Sequence, residues 1–136
     1  MAKAGYILIN GGKTGIMQAV SEGAKHCGGF VIGILPEINA DFANHYCDVN
    51  IPCGIGYARN LVNVLSGDTV IAIGGGAGTL NEMAYAWQFG KKIFACTQIP
   101  GWAKELAGKR IDERRDDYII PFYDANELQA LLPSVS

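Results

Sequence analysis

The sequence predicts an α/β fold with an open parallel sheet that is covered by helices on both faces. Short β-branched or apolar runs alternate with segments of helical periodicity. These runs are apolar at consecutive positions, as expected of strands that are buried on both faces. Glycine-rich segments follow two of the runs and open helices, which is typical of Rossmann-like sheets that bind ligands beyond the carboxyl ends of their strands.

The individual elements follow from these patterns. Strands are expected at Tyr6–Asn10, Phe30–Leu35, Thr69–Ile73 and Lys92–Cys96, with a weaker run at Tyr118–Pro121. Helical faces are formed by Ile16, Ala19, Val20 and Cys27, by Ala58, Leu61, Val62 and Leu65, and by Leu80, Met83, Ala84 and Trp87. Gly28 and Gly90 are expected to end helices in a left-handed conformation. Leu106 and Leu128–Leu132 indicate two further short helices, and residues 108–118 are expected to form a solvated surface connection.

The composition predicts one soluble domain, residues 1–136, in the cytoplasm. The chain has 136 residues, of which 49% are hydrophobic and 18% charged, enough to bury a single core. Its net charge of −2 without a Lys/Arg stripe argues against nucleic acid and membrane partners. No apolar run approaches the roughly 20 residues that span a bilayer. The N-terminal residues lack the pattern of a signal peptide, so the four cysteines are expected to stay reduced.

Two glycine-rich loops are candidate phosphate sites. Asn10–Gly15 follows the first predicted strand and Gly74–Thr79 follows the third. A helix that starts in such a loop presents unpaired N–H groups, and glycine lets an anion approach them closely. Neither loop matches a P-loop or a dinucleotide fingerprint, because Ile7, Thr79 and Asn81 stand where those motifs need glycine, so NAD is not expected. For both loops the alternative is a tight turn with positive φ and no ligand.

Thr79, Glu82 and Arg59 add chemistry to this pattern. Thr79 and Glu82 have the spacing of a capping box, although a carboxylate at Glu82 could also hydrogen-bond a ligand or stabilise an oxocarbenium ion. Arg59 falls in the first turn of a helix that starts near Gly56, where the helix dipole disfavours a cation by roughly 0.3–1 kcal/mol. Its guanidinium could therefore face Glu82 or an anionic ligand, or it could be solvated. Asn60 fits the polar side of that helix.

Three motifs in this order resemble those of the LONELY GUY-like nucleotide-binding superfamily, long labelled possible lysine decarboxylases. They are NGGKTGIMQAVSEGAKHCGGFVIGILP, ARNLVNVLSGDTVIAIGG, and GGGAGTLNE followed by AYAWQFGKKI. The similarity covers roughly residues 5 to 100. Within the superfamily the chain is most similar to the molybdenum cofactor carrier subgroup.

The resemblance assigns residues in the glycine-rich segment. The phosphoribohydrolase branch carries P-G-G-x-G-T-x-x-E, in which the glutamate and an upstream arginine perform catalysis. In this chain Gly75, Gly76, Gly78, Thr79 and Glu82 match, Gly74 replaces the proline, and Arg59 is followed by Asn60 where that branch usually has lysine. These departures favour the carrier subgroup.

The resemblance therefore implies a binding protein for a phosphorylated heterocycle, the molybdenum cofactor or its molybdopterin precursor, which is handed to a molybdoenzyme apoprotein. The phosphate is expected on Gly74, Gly75, Gly76, Gly78 and Thr79, with Arg59, Asn60, Gly11, Gly12 and Lys13 completing the cleft. A carrier need not make or break a bond. The alternative is an N-glycosidase for nucleoside 5′-monophosphates, in which Glu82 and Arg59 are catalytic. Decarboxylation is set aside, because it usually needs pyridoxal phosphate in a much larger fold.

Two further expectations concern the chain's start and its cysteines. Family members normally begin with a strand and a helix before the segment that Tyr6–Gly12 matches, and this chain starts without them. A bare sheet border at Tyr6–Asn10 or a neighbouring strand is therefore expected, which together with the resemblance implies a homo-oligomer, either a dimer or a tetramer. His45, Cys47 and Cys53 match no common zinc spacing, so no metal site is predicted; a weak metal site or a thiol near molybdenum or copper is the alternative.

Overall fold

Strands and helices alternate along the chain in a computed structural model that describes residues 1–135. Within that range the strands are β1 (Leu8–Asn10), β2 (Val31–Leu35), β3 (Val49–Pro52), β4 (Thr69–Ala72), β5 (Lys92–Cys96) and β6 (Ile120–Phe122). The α-helices are α1 (Ile16–His26), α2 (Arg59–Ser66), α3 (Ala77–Gln88), α4 (Trp102–Leu106) and α5 (Ala125–Leu131). Every paired strand is parallel to its neighbour. The predicted α/β class with parallel strands is confirmed.

The chain divides into two compact units. Among the described residues, unit 1 contains Met1–Asn63 and residues 133–135, and unit 2 contains Val64–Leu132. Each unit has its own three-stranded sheet, in the order β1-β2-β3 in unit 1 and β4-β5-β6 in unit 2. The single domain expected for residues 1–136 stays a prediction.

The sheet of unit 1 is centred on β2, in which Val31, Ile34 and Leu35 are at most 1% exposed. β3 pairs with β2 from Ile32 opposite Val49 to Leu35 opposite Pro52. This strand was not predicted, because the segment VNIP is short, carries only two aliphatic residues and ends in proline. All four of its residues are exposed, and a proline at the end of an edge strand removes no needed hydrogen bond.

In helix α1 most of the predicted apolar face is exposed, and the one buried residue is polar. Ile16 is 41% exposed and Cys27 is exposed, whereas Ser21 is fully buried. The Ser21 hydroxyl donates to the carbonyl of Met17 at 2.7 Å and accepts from Asn10 Nδ2 at 2.9 Å. Because these buried polar groups satisfy one another, Asn10 at the end of β1 is fixed by the helix that follows it.

Helices cover both faces of the sheet in unit 2. Residues of β5 alternate between two cores, as expected of a strand buried on both sides. One core joins Ile93 and Ala95 to the buried residues of α3 and α4, which are Met83, Ala86, Trp87 and Ala103. The second core joins Phe94 and Cys96 to Phe122 and to Leu128 of α5. The prediction of helices on both faces is therefore confirmed within this unit.

The last strand is displaced from its expected position. It was predicted at Tyr118–Pro121, but β6 begins at Ile120. The reason is that Ile119 pairs with the preceding connection: its N–H donates to Lys109 O at 3.0 Å, and its carbonyl accepts from Gly108 N at 2.8 Å. Gly28 and Gly90 have φ angles of 72° and 70°, which confirms the left-handed helix ends.

The connection of residues 108–118 lies on the surface, as predicted, but two of its side chains dock on α3. Asp112 Oδ1 accepts from Trp87 Nε1 at 2.8 Å, and this hydrogen bond holds the pKa of the Asp112 carboxyl below its usual value. The Arg115 guanidinium carbon lies 4.5 Å from the centroid of the Trp87 ring, and Nη1 donates to Lys91 O at 2.9 Å. The predicted solvated surface connection is thus confirmed for most of its residues, and these contacts additionally bind it to the end of the helix.

Candidate functional site

The segment Gly74–Gly76 links β4 to α3 in unit 2. Gly74 and Gly75 have φ angles of 57° and 85°, in the left-handed region that L side chains rarely adopt. Gly76 has a φ of −102° and is therefore not required by its own φ angle. Two of the three glycines shape the turn, and the third needs another explanation.

Two backbone hydrogen bonds join the start of α4 to this segment. Trp102 N donates to Gly75 O at 3.0 Å and Ala103 N donates to Gly74 O at 3.1 Å. Gly101 makes this approach possible: it has a φ of 139°, and a Cβ atom there would lie 2.5 Å from the carbonyl carbon of Gly74. Gly101 was missed at the level of sequence, where the Pro-Gly step before the helix was the available signal.

Helix α3 begins earlier than the capping-box spacing suggests. Its N-cap is Gly76, which has no side chain to accept a hydrogen bond, and Thr79 is the third helical residue. The capping box formed by Thr79 and Glu82 is therefore wrong, because Thr79 lies inside the helix. Thr79 instead lies against Gly75, where any Cβ would overlap the Thr79 side chain.

The space beside Gly76 is open. A Cβ atom at this position would meet no heavy atom within 4 Å, and residues 75–78 are exposed. The first N–H groups of an α-helix have no partner within the helix, and the N-cap residue Gly76 supplies no side-chain hydrogen bond to them. This geometry suits an anion, because α3 adds the positive end of its dipole to these amides. Glu82 lies on the same side of α3 as Thr79, one turn further on, and is partly buried.

In the loop Asn10–Gly15 of unit 1, contacts within the protein explain why Gly12 is a glycine. Gly12 N donates to Asn10 Oδ1 at 2.8 Å, so this amide is already satisfied. Gly12 has a φ of 68°, and a Cβ there would lie 2.8 Å from Leu35 Cδ2 and 3.2 Å from Gly33 Cα. A tight turn packed on β2 therefore accounts for Gly12, and a ligand role for it stays a prediction.

Arg59 is the first residue of α2, after a 3-10 turn at Gly56–Ala58. Its Nη1 donates to Gly11 O at 2.7 Å and to Ile34 O at 2.8 Å, near the carboxyl ends of β1 and β2. A Cβ at Gly11 would overlap this guanidinium. Two carbonyl groups thus offset the unfavourable interaction between the Arg59 charge and the dipole of α2. The alternative that the Arg59 side chain is solvated is excluded. Asn60, expected on a polar helix side, is buried with 6% exposure.

Lys13 forms an ion pair with the carboxylate of Glu37. The hydrogen bond from Lys13, with a smaller contribution from Arg59, holds the pKa of Glu37 below its usual value. Asn44 fixes the loop by donating from its backbone N to Gly12 O at 2.7 Å and from Nδ2 to Lys13 O at 2.9 Å. Glu37 and Asn44 were not predicted, since neither belongs to a motif.

The Cys47 and Cys53 thiols both contact oxygen atoms of nearby residues: Cys47 Sγ lies 3.6 Å from Asn44 Oδ1, and Cys53 Sγ lies 3.9 Å from Ile51 O. Within residues 1–135 no group of three or more His, Cys, Asp or Glu side chains is arranged to hold a metal ion. The His45 and Tyr46 rings lie 4.0 Å apart. Burial, with a smaller effect of Asp48, raises the pKa of the Cys47 thiol and so disfavours the thiolate that a metal would need.

Known proteins are similar to this chain in sequence and in structure. A family model described as the SLOG cluster4 family matches residues 1–128. The structure is similar to that of a molybdenum cofactor binding protein from Rippkaea orientalis, with a TM-score of 0.83 and 34% identity over 96% of this chain and 77% of that chain. It is also similar to the molybdenum cofactor carrier protein of Chlamydomonas reinhardtii, with a TM-score of 0.78 and 29% identity over 95% of this chain and 77% of that chain.

One relative that is similar in sequence is named as an enzyme rather than as a molybdenum cofactor protein. The cytokinin riboside 5'-monophosphate phosphoribohydrolase of Mycobacterium tuberculosis is 32% identical over 93 residues, which are 66% of this chain and 50% of that protein. The chain thus spans about half the length of this relative. None of the described helices is both long and apolar enough to cross a bilayer.

Proposed function

The chain belongs to the SLOG cluster4 family, and from this premise we propose that it binds a phosphorylated heterocycle, with the molybdenum cofactor or molybdopterin as its cargo. The observation that carries the proposal is the open space beside Gly76, at the uncapped start of α3. A phosphate monoester fits there because exposed amides can contact its oxygens with no Cβ in the way. The likeness to two proteins named for binding or carrying the molybdenum cofactor supports this choice of cargo.

The proposal gives the residues of the loop separate roles. Gly74 and Gly75 adopt the left-handed turn, Gly76 keeps the space beside the amides free of a side chain, and Thr79 packs on Gly75. The same part for Gly78 stays a prediction. That Arg59, Asn60, Gly11, Gly12 and Lys13 also contribute to binding stays a prediction. We further propose a cytoplasmic homo-oligomer that passes its cargo to a molybdoenzyme apoprotein.

Replacing Gly76 by valine is expected to weaken ligand binding about tenfold or more. The new side chain enters the open space that the phosphate is proposed to occupy, and the φ of −102° at Gly76 is not left-handed, unlike those of Gly74 and Gly75. Titration calorimetry with AMP, GMP and molybdopterin measures the affinity, and thermal unfolding measures the stability.

The matched control for this variant is Ala125→Val. Ala125 is also exposed and is the first residue of an α-helix in the same unit, but that helix is capped by Asp124, whose side chain accepts from Glu127 N. This variant should bind like the wild type. Equal affinities for all three proteins would remove the support for a phosphate at Gly76.

A second candidate function is cleavage of the N-glycosidic bond of nucleoside 5′-monophosphates. It is favoured by the position of Glu82 one turn after Thr79 and by the similarity to the mycobacterial phosphoribohydrolase. Water would then replace the base on the ribose, giving ribose 5-phosphate and the free base, with the Glu82 carboxylate stabilising the ribosyl cation or activating the water.

The two functions predict different outcomes with the same substrates. For a carrier, incubation with AMP or isopentenyladenosine monophosphate should release no ribose 5-phosphate, whereas molybdopterin should bind without turnover. Glu82→Gln should then leave molybdopterin affinity within about twofold, because the amide keeps the size of the side chain. Release of ribose 5-phosphate that disappears in Glu82→Gln would instead establish the enzyme.

A further inference from the structure

Glu37 places a negative charge among the cationic residues of unit 1. It follows β2, and its Oε1 atom accepts from the Lys13 ammonium. The Oε2 atom is buried and has no hydrogen-bond partner within the described chain, and the same is true of Arg59 Nε. The positive field of Arg59 reaches this carboxylate and contributes to the lowering of its pKa.

A purely structural ion pair leaves this arrangement unexplained. Burying a carboxylate oxygen without a partner is unfavourable, and such groups in native structures usually have a reason. Arg59 is already held by two carbonyls, Gly11 O and Ile34 O, and so does not need the carboxylate for its placement. The Lys13 side chain is 28% exposed and that of Glu37 is 30% exposed, so solvent and small ions can reach the pair.

We propose that Glu37 is an internal counter-anion, which occupies the ammonium of Lys13 and must be displaced before an anionic ligand can bind there. A dianionic phosphate attracts Lys13 more strongly than the single charge of a carboxylate does. Glu37 therefore lets phosphorylated compounds compete for Lys13, while it disfavours binding of monoanions such as carboxylates. This inference rests on the prediction that Lys13 binds a phosphate group and is independent of the loop at Gly76.

The replacement of Glu37 by a ligand at Lys13 would need side chains to move, but not the backbone of the loop. Asn44 binds the carbonyls of Gly12 and Lys13, which fixes the backbone of the loop. The Lys13 ammonium also lies 5.2 Å from the centroid of the Phe42 ring, an attractive contact that does not depend on Glu37. The ammonium can thus exchange one anion for another without any change in the loop.

The test is the binding of inorganic pyrophosphate to Glu37→Gln, measured by titration calorimetry. The affinity should rise about two- to fivefold over the wild type at low ionic strength, which corresponds to the usual strength of a partly exposed ion pair. The gain should shrink at about 0.5 M salt, because screening weakens the competition that the substitution removes. Glu37→Asp keeps the charge and should stay near the wild type.

The double variant Lys13→Ala, Glu37→Gln separates this mechanism from a general change of charge. If Glu37 acts by occupying Lys13, the gain is absent when Lys13→Ala is the reference. An affinity in Glu37→Gln that is unchanged or lower, or a gain that persists without Lys13, would overturn the inference.

A measurement on the wild type covers the case in which a variant does not fold. Pyrophosphate should shift the ¹³C resonance of the Glu37 carboxylate as it is released from Lys13, and binding without such a shift would also overturn the inference. The proposed function is judged separately, by Gly76→Val. A failure of one test therefore leaves the other result standing.

Discussion

Alanine in place of Gly101 is expected to lower the free energy of unfolding by about 2–4 kcal/mol and to abolish binding of phosphorylated ligands. The two effects have one cause. A Cβ at Gly101 would lie 2.5 Å from the Gly74 carbonyl carbon and 2.7 Å from Gly75 N, and backbone atoms cannot move aside as the end of a side chain can. The segment before α3 would have to shift, together with the amides proposed to bind phosphate.

Gly108→Ala is the matched control for the strain alone. Gly108 also has a positive φ, 74°, but a Cβ there would meet nothing within 4 Å. Its substitution should lower the free energy of unfolding by only about 1 kcal/mol and leave ligand affinity unchanged. Urea denaturation and calorimetric titration of both variants check the expectation. Equal losses of stability, with ligand binding retained in both, would show that the contact between Gly101 and Gly74 is unimportant.

Alanine in place of Trp87 should lower the free energy of unfolding by about 3–5 kcal/mol. The Trp87 side chain is 1% exposed in the core that joins α3 to β5. Its removal leaves a large cavity, and it also removes the indole that binds Asp112 and Arg115. Residues 108–118 should therefore become more sensitive to proteolysis in this variant.

Trp102→Ala provides the comparison in the same unit. Trp102 is 42% exposed, and its contact to Gly75 is made by the backbone N–H, which alanine keeps. The loss of unfolding free energy should be about 1 kcal/mol or less. Urea denaturation followed by circular dichroism measures both variants, and similar losses would contradict the assigned role of the Trp87 side chain in the core.

The parts of the fold that the sequence predicts well are those in which burial determines the pattern. β5 lies at Lys92–Cys96 as predicted, because its residues are apolar on both faces of a sheet. β3 could not be recognised, since an exposed edge strand has no such requirement. The start of α3 was misplaced because three consecutive glycines offer no side chain to mark an N-cap, which left the Thr79–Glu82 spacing as the apparent signal.

At the candidate site, too, the features that depend on neighbouring residues in sequence were predicted, and the contacts between distant residues were not. The odd position of Arg59 at a helix start correctly indicated that a partner was needed, but the partners are carbonyls of Gly11 and Ile34, far away in sequence. Gly101 and Glu37 belong to no motif, and their importance comes from atoms that only the folded chain brings near. Periodicity and local spacing contain no information about such contacts.

The hydrogen bonds from Trp102 and Ala103 to Gly75 and Gly74 join backbone groups of the chain itself and need no ligand atom. The entropy of ordering this turn is therefore lost when the chain folds rather than when cargo arrives, so the site is preorganised. For a carrier, retention would then depend on how fast the phosphate dissociates from a rigid surface. Handover of such a cargo to a recipient enzyme would then require competition for its phosphate, since two hydrogen bonds of the chain's own backbone hold the turn.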